Sequence, residues 1–145
     1  MLRGAARALG LVSPTSERLN NRPPTAHEPK LVRELSSSSR DALLERAATL
    51  YEMDLMDESE ALEREALKVS TLLDGEWHAE TLKVKASLAV TLRSQSKWVE
   101  AIEVGEDVVK AHSLLRGTDH PATRRAISSL MQTQLMRDAT PPSDP

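Results

Sequence analysis

Apolar residues return at intervals of three and four along five stretches of the chain, with polar residues filling the positions between them. That spacing is the mark of amphipathic helices. Leu43, Ala47, Leu50 and Tyr51 make the first stripe, and Ser39, with Asp41 behind it, is expected to cap that helix. After an acidic turn near 54–57, the second stripe is Ala61, Leu62, Ala66, Leu67 and Val69, with Glu58, Glu63, Arg64 and Lys68 expected to face water. Gly75 is the expected stop. Leu82, Val84, Leu88, Ala89 and Leu92 form the third stripe. A turn at 94–97 leads to Trp98 and the fourth: Ala101, Ile102, Val104, Val108, Val109, Leu114 and Leu115, ending at Gly117. Pro121 suits the first turn of the fifth helix, whose stripe is Ala126, Ile127, Leu130, Met131 and Leu135.

The segments that join the second helix to the third and the fourth to the fifth are versions of one sequence. Leu72-Leu73-Asp74-Gly75-Glu76-Trp77-His78-Ala79-Glu80-Thr81 returns as Leu114-Leu115-Arg116-Gly117-Thr118-Asp119-His120-Pro121-Ala122-Thr123, and Gly75/Gly117, His78/His120 and Thr81/Thr123 are each 42 positions apart. A helix–turn–helix period of that length predicts stacked units that bury their stripes against one another. The expected fold is all-α: a right-handed helical-repeat solenoid of about two and a half units (39–77, 78–119 and a partial 120–138) within residues 39–138. About three repeats are usually needed for independent stability. The array is therefore marginal, and the fifth helix is its lid. Residues 1–38, with four prolines and the run Ser36-Ser37-Ser38-Ser39, read as a disordered or targeting arm, and 139–145 as a disordered tail.

Composition supports helices over sheets. Only Trp77, Trp98 and Tyr51 are aromatic and there is no Phe, so Leu, Ala and Val do the packing. No cysteine is present for disulfide, thiolate or Cys–metal chemistry. Residues 1–40 hold seven Lys/Arg against three Asp/Glu, a charge of +4, while residues 41–145 hold twelve against nineteen, a charge of −7. The acidic body argues against nucleic acid as a partner, and no apolar run approaches the roughly 18 residues of a membrane span. A cytoplasmic protein is expected; the alternative is mitochondrial import, because residues 1–12 are amphipathic, contain Arg3 and Arg7 and lack acids.

Candidate chemistry is sparse. His78 and His120 occupy equivalent turns, where capping is the plain role, and further converging ligands for a metal do not stand out. His112 is expected on an exposed helix face and His27 in the arm. The acidic stretch 54–60 lacks the alternation and central glycine of a calcium loop. No phosphate loop or nucleophile–base pair appears, so no enzyme activity, catalytic residue, cofactor or metal site is expected.

Ser87-Leu88-Ala89, Leu92, Gln95-Ser96-Lys97-Trp98-Val99-Glu100-Ala101 and Leu115-Arg116-Gly117-Thr118-Asp119-His120-Pro121-Ala122-Thr123 together resemble the kinesin light chain type of tetratricopeptide repeat, whose period is also 42 residues. The wording is similar to the large fungal collection of such repeats. The resemblance covers roughly 39–138 and is strongest over 72–123. It implies that Gly75, His78, Leu88, Ala89, Leu92, Trp98, Ala101, Gly117, His120 and Pro121 are structural signature positions. The family's peptide-clamping Asn is Glu45, Ser87 and Ser129 here; its turn glycine is Ser96, a packing alanine is Ser59, and Ala79 follows His78 where the family has proline.

The concave face is the expected site of function. Helical spacing selects Lys83, Ser87, Thr91 and Ser94, with Arg125, Ser129, Thr133 and Met136 one repeat on and Asp41, Glu45, Thr49 and Glu52 one repeat back. The row grades from acidic to basic. A non-catalytic protein-interaction module is expected, binding a protein or partly acidic peptide through Lys83, Ser87, Thr91, Arg125, Ser129 and Thr133. The alternatives are a structural element that self-associates through exposed repeat ends such as Met131 and Leu135, a solvated face without a ligand, or a decayed fragment of a larger repeat protein.

Overall fold

A computed structural model describes residues 36–141; the N-terminal arm before Ser36, with the targeting reading of residues 1–12, lies outside the described residues, as does most of the tail. The described chain is all-helical, compatible with a helical-repeat solenoid, and its five helices are α1 (Ser37–Glu52), α2 (Met56–Asp74), α3 (Ala79–Ser94), α4 (Trp98–Arg116) and α5 (Pro121–Ala139). Both ends of α1 and α3 differ by 42, as do both ends of α2 and α4 and the starts of α3 and α5.

Local chemistry explains why the helices start and stop in register. His78 and His120 are the N-caps of α3 and α5: each Nδ1 accepts from the backbone N–H two residues on, at 3.2 Å from Glu80 and 3.1 Å from Ala122. Those bonds satisfy helix-end donors that have no partner within the helix. In the first unit Ser36 takes this position, accepting from the Ser39 backbone N–H at 3.0 Å. Ser39, the expected cap, is instead inside α1 and matches Thr81 and Thr123.

Gly75 and Gly117 end α2 and α4 at φ +97° and +86°, with ψ near 160°, a region open essentially to glycine alone. Six residues later, the Thr81 and Thr123 hydroxyls donate back to those glycines' carbonyls, each at 2.7 Å. Inside each unit the turn uses a left-handed residue, Asp54 (φ 63°) or Ser96 (φ 60°), and closes with a backbone bond of 2.9 Å, Leu55 to Leu50 or Lys97 to Leu92.

Each helix packs mainly on its neighbours in sequence. Bonds between helices two apart define two layers. Tyr51 to Ser94 (2.8 Å) and Arg93 to Gln132 (3.3 Å) tie α1, α3 and α5 together, and Arg64 to Glu100 (2.6 Å) ties α2 to α4. The stripe of α3 is buried as expected, and Leu88, Leu92 and Ala101 form a cluster flanked by Leu67 and Val104. Elsewhere the expected faces shift. Ala61 is exposed and Glu63 buried, because α2 lies against both α1 and α3 and its second contact face reaches Glu63, which accepts from the Ser87 hydroxyl at 2.5 Å. Leu114 and Leu115 are exposed at the end of α4.

Several core positions hold charge where the equivalent residue of another unit is apolar. Arg40 stands where α3 has Leu82, and its guanidinium donates at 2.7 Å to Asp74 at the end of α2, with side chains only 7% and 1% exposed. Glu60 stands where α4 has Ile102. Burial works against the Glu60 carboxylate, but hydrogen bonds from Lys97 (2.7 Å) and Arg64 (2.8 Å) outweigh it and hold its pKa below the ordinary value. Removing one member of a buried pair strands the other charge. Asp74→Ala is accordingly expected to destabilise the fold by about 3 kcal/mol, and Arg40→Met with Asp74→Leu to be close to neutral. Urea unfolding of the two variants checks this; equal losses would mean the pair is not acting as a buried unit.

Candidate functional site

The layer of α1, α3 and α5 presents three parallel rows of residues. Lys83, Ser87 and Ser94 are exposed along α3; Arg125 and Met136 are exposed and Ser129 half-buried along α5; Asp41, Glu45 and Glu52 are exposed along α1. The two threonines expected beside them, Thr91 and Thr133, are 1% and 4% exposed. Thr133 spends its hydroxyl on the Ser129 carbonyl, at 3.0 Å. Stepping by 4, 3 and 4 instead of 4, 4 and 3 gives the stripe that reaches the surface. It has Val90 in α3, Gln132 in α5 and Ala48 in α1 where threonines were expected, and Thr49, the α1 counterpart, is exposed.

The row is electrostatically graded, but Lys83 contributes less than its charge implies. Its ammonium lies 2.8 Å from Glu80, and that hydrogen bond holds the Glu80 carboxyl below the usual range. Ser87 is turned towards Glu63, Ser94 is bonded to Tyr51 and Gln132 to Arg93. Arg125 forms no ion pair among the described residues, whereas Asp41 is paired with Arg40 at 3.2 Å. The face thus runs from the Glu45 and Glu52 carboxylates on α1, through a neutralised centre, to the Arg125 guanidinium on α5.

The signature residues have separate structural roles. Leu88, Ala89, Leu92 and Ala101 are core, Gly75 and Gly117 shape the joints, and His78 and His120 cap. Trp98 opens α4 half-buried, and Pro121 opens α5. A recess of about 970 Å³ lies away from the row, along α2, and its described lining (Leu67, Lys68 and Leu72 among others) comes from that helix alone. Among the described residues, no group of three or more His, Cys, Asp or Glu could hold a metal ion, and no helix is long and apolar enough to cross a membrane.

His112 differs from its expected exposed setting. It is half-buried on α4, and its Nδ1 is buried without a hydrogen-bond partner. Burial, together with the nearby charges of Arg116, His120 and Arg125, pushes its pKa below 6.5. The pattern of apolar spacing alone could not place it, because α4 has an inner face on both α3 and α5.

Residues 81–122 match the model of the tetratricopeptide repeat family, a span that starts in the first turn of α3 and ends in the first turn of α5. The match supports a tetratricopeptide-type repeat protein. No curated protein and no solved structure matches the chain.

Because burial and the nearby cations favour the neutral form of His112 in the folded state, and the ring is neutral in both states at high pH, His112 costs nothing there. It costs stability progressively as pH falls through its unfolded value towards the lower folded one. Thermal melts between about pH 7.5 and 5 are expected to show a steeper loss in the parent than in His112→Gln. Parallel profiles would show that His112 is not the group responsible.

Proposed function

We propose that this chain is a non-catalytic interaction module of the kinesin light chain type that binds an extended peptide across the exposed face of α1, α3 and α5. The tetratricopeptide match supports protein–protein interaction as the function class. The charge gradient is the observation that selects this face. Glu45 and Glu52 on α1 and Arg125 on α5, which forms no ion pair among the described residues, flank a centre in which Lys83 is matched by Glu80. A peptide laid across the helices with acidic residues at the α5 end and a basic residue at the α1 end meets opposite charge at both ends. Electrostatic complementarity of this kind sets register and speeds encounter.

Short side chains leave room for the backbone of such a peptide. Ala48, Val90, Ser87 and Ser129 are small, while Gln132 supplies an amide within reach of a peptide group. The replacement of the family's clamping Asn by Ser87 and Ser129 points to a binder that relies on charge more than on side-chain amide bonds.

Selection of random 12-residue peptides against the full chain tests the reading. Enriched sequences are expected to place Asp or Glu at one end. Arg125→Glu is expected to weaken the selected peptides about tenfold or more and Lys83→Glu less, with helical content unchanged. No enrichment, or peptides that bind Arg125→Glu as well as the parent, would remove the site from this face.

A further inference from the structure

The last described helix carries a second surface, independent of the peptide face. Each helix of the α1/α3/α5 layer has a side that points towards the helix following it. On α1 that side is covered by α2 and on α3 by α4, so Ala47 and Ala89 are 1% and 8% exposed. Met131 occupies the same position of α5 and is 55% exposed. Leu135, whose counterparts Tyr51 and Arg93 reach across to the next helix of the layer, is 67% exposed. Ile127, Met131 and Leu135 fall at i, i+4 and i+8, an apolar stripe along one side of the helix.

The molecule itself shows what covers this side. At the first unit the cover is α2, with six carboxylates against two cations, a charge of −4. At the second it is α4, with four against two, a charge of −2. Helix α5, on which no following helix packs among the described residues, holds Arg124, Arg125 and Arg137 against Asp138, a charge of +2. A second copy of α5 would bring like charges together, whereas a helix resembling α2 would bring opposite ones.

One residue sharpens the match. Arg124 stands 84 positions after Arg40, the residue whose guanidinium grips Asp74 at the C-terminal end of α2. Arg124 is exposed and forms no ion pair among the described residues. The geometry points to α5 as the docking site of an acidic amphipathic helix from a partner protein, lying along Ile127, Met131 and Leu135 with a carboxylate near its C-terminal end bound by Arg124. The α1–α2 contact is the template for this arrangement: apolar side chains fill the stripe and an Arg–carboxylate hydrogen bond fixes orientation and register.

The template also supplies the probe. A labelled peptide of residues 56–74, acetylated and amidated, is titrated into the full chain and followed by anisotropy. It is expected to bind, and Asp74→Arg in the peptide to weaken binding about tenfold. Arg124→Asp in the chain is expected to weaken the parent peptide and restore the Asp74→Arg peptide. Met131→Glu should weaken both peptides, and Arg125→Glu should weaken the parent peptide less than Arg124→Asp does, separating this site from the peptide face. Circular dichroism checks folding; should Met131→Glu unfold, the charge swap at Arg124 decides alone. Peptides that bind equally with Asp or Arg at this end, no binding at all, or a loss with Arg125→Glu as large as with Arg124→Asp would each overturn the assignment. So would a chain that sediments as a dimer and becomes a monomer with Met131→Glu, since a second copy would then cover the stripe.

Discussion

Two hydroxyl-to-carbonyl hydrogen bonds, Thr81 to Gly75 and Thr123 to Gly117, fix the angle at which one unit passes to the next. Each bridges a backbone reversal that only glycine tolerates without strain, and each lies beside a histidine that caps the incoming helix. Three elements of one short segment thus restrain the same joint. The consequence is register: residues 42 apart occupy the same place in successive units. Both the exposed face and the side of α5 left open by the described residues are aligned rows because the joints repeat.

Identical joints raise the problem of distinguishing one interface from the next. The charged core positions answer it. Arg40 faces Asp74 where the next unit has Leu82 and Arg116, and Lys85 reaches Asp107 at 2.7 Å where its counterparts are Leu43 and Ile127. Glu63 accepts from Ser87, while its counterpart Gly105 brings α4 close to Leu130, so close that an added Cβ would sit 3.1 Å from that side chain. Buried pairs of this kind add little net stability compared with apolar residues, but a mismatched one is expensive. Sliding the chain by one repeat would strand Arg40, Glu60 and Glu63 together. The sequence keeps the geometry periodic and makes the contacts individual.

Much of the architecture was legible because it rests on residues whose constraint is local. Glycine at a positive φ, a capping histidine and the 3–4 spacing of Leu88, Ala89 and Leu92 each announce a backbone state without knowledge of the neighbours. The exposed face was legible only in part. Lys83, Ser87, Arg125 and Ser129 fall on it, but Thr91 and Thr133 do not, because a helix in the middle of a stack is contacted on two sides and its water-facing stripe narrows. The same double contact buries Glu63 and half-buries His112, both expected outside. Ser36 replaced Ser39 as the first cap because Ser is the residue of choice at either position, and only alignment with His78 separates them.

Arg124 and Arg125 show how one helix can present two surfaces. Consecutive residues of an α-helix point about 100° apart, so neighbours in sequence serve different faces. Arg125 belongs with Asp41 and Lys83 on the face open to solvent, while Arg124 belongs with Arg40 and Leu82 on the side that a following helix covers. In the first unit the covered arginine is neutralised by Asp74, and in the second Leu82 replaces it. Only in the third are both arginines exposed without an ion pair among the described residues. The positive end of the chain therefore does not act as a single patch. It divides into Arg125 on the exposed row and Arg124 on the side of α5 that no helix covers among the described residues, so neither charge has to serve both surfaces.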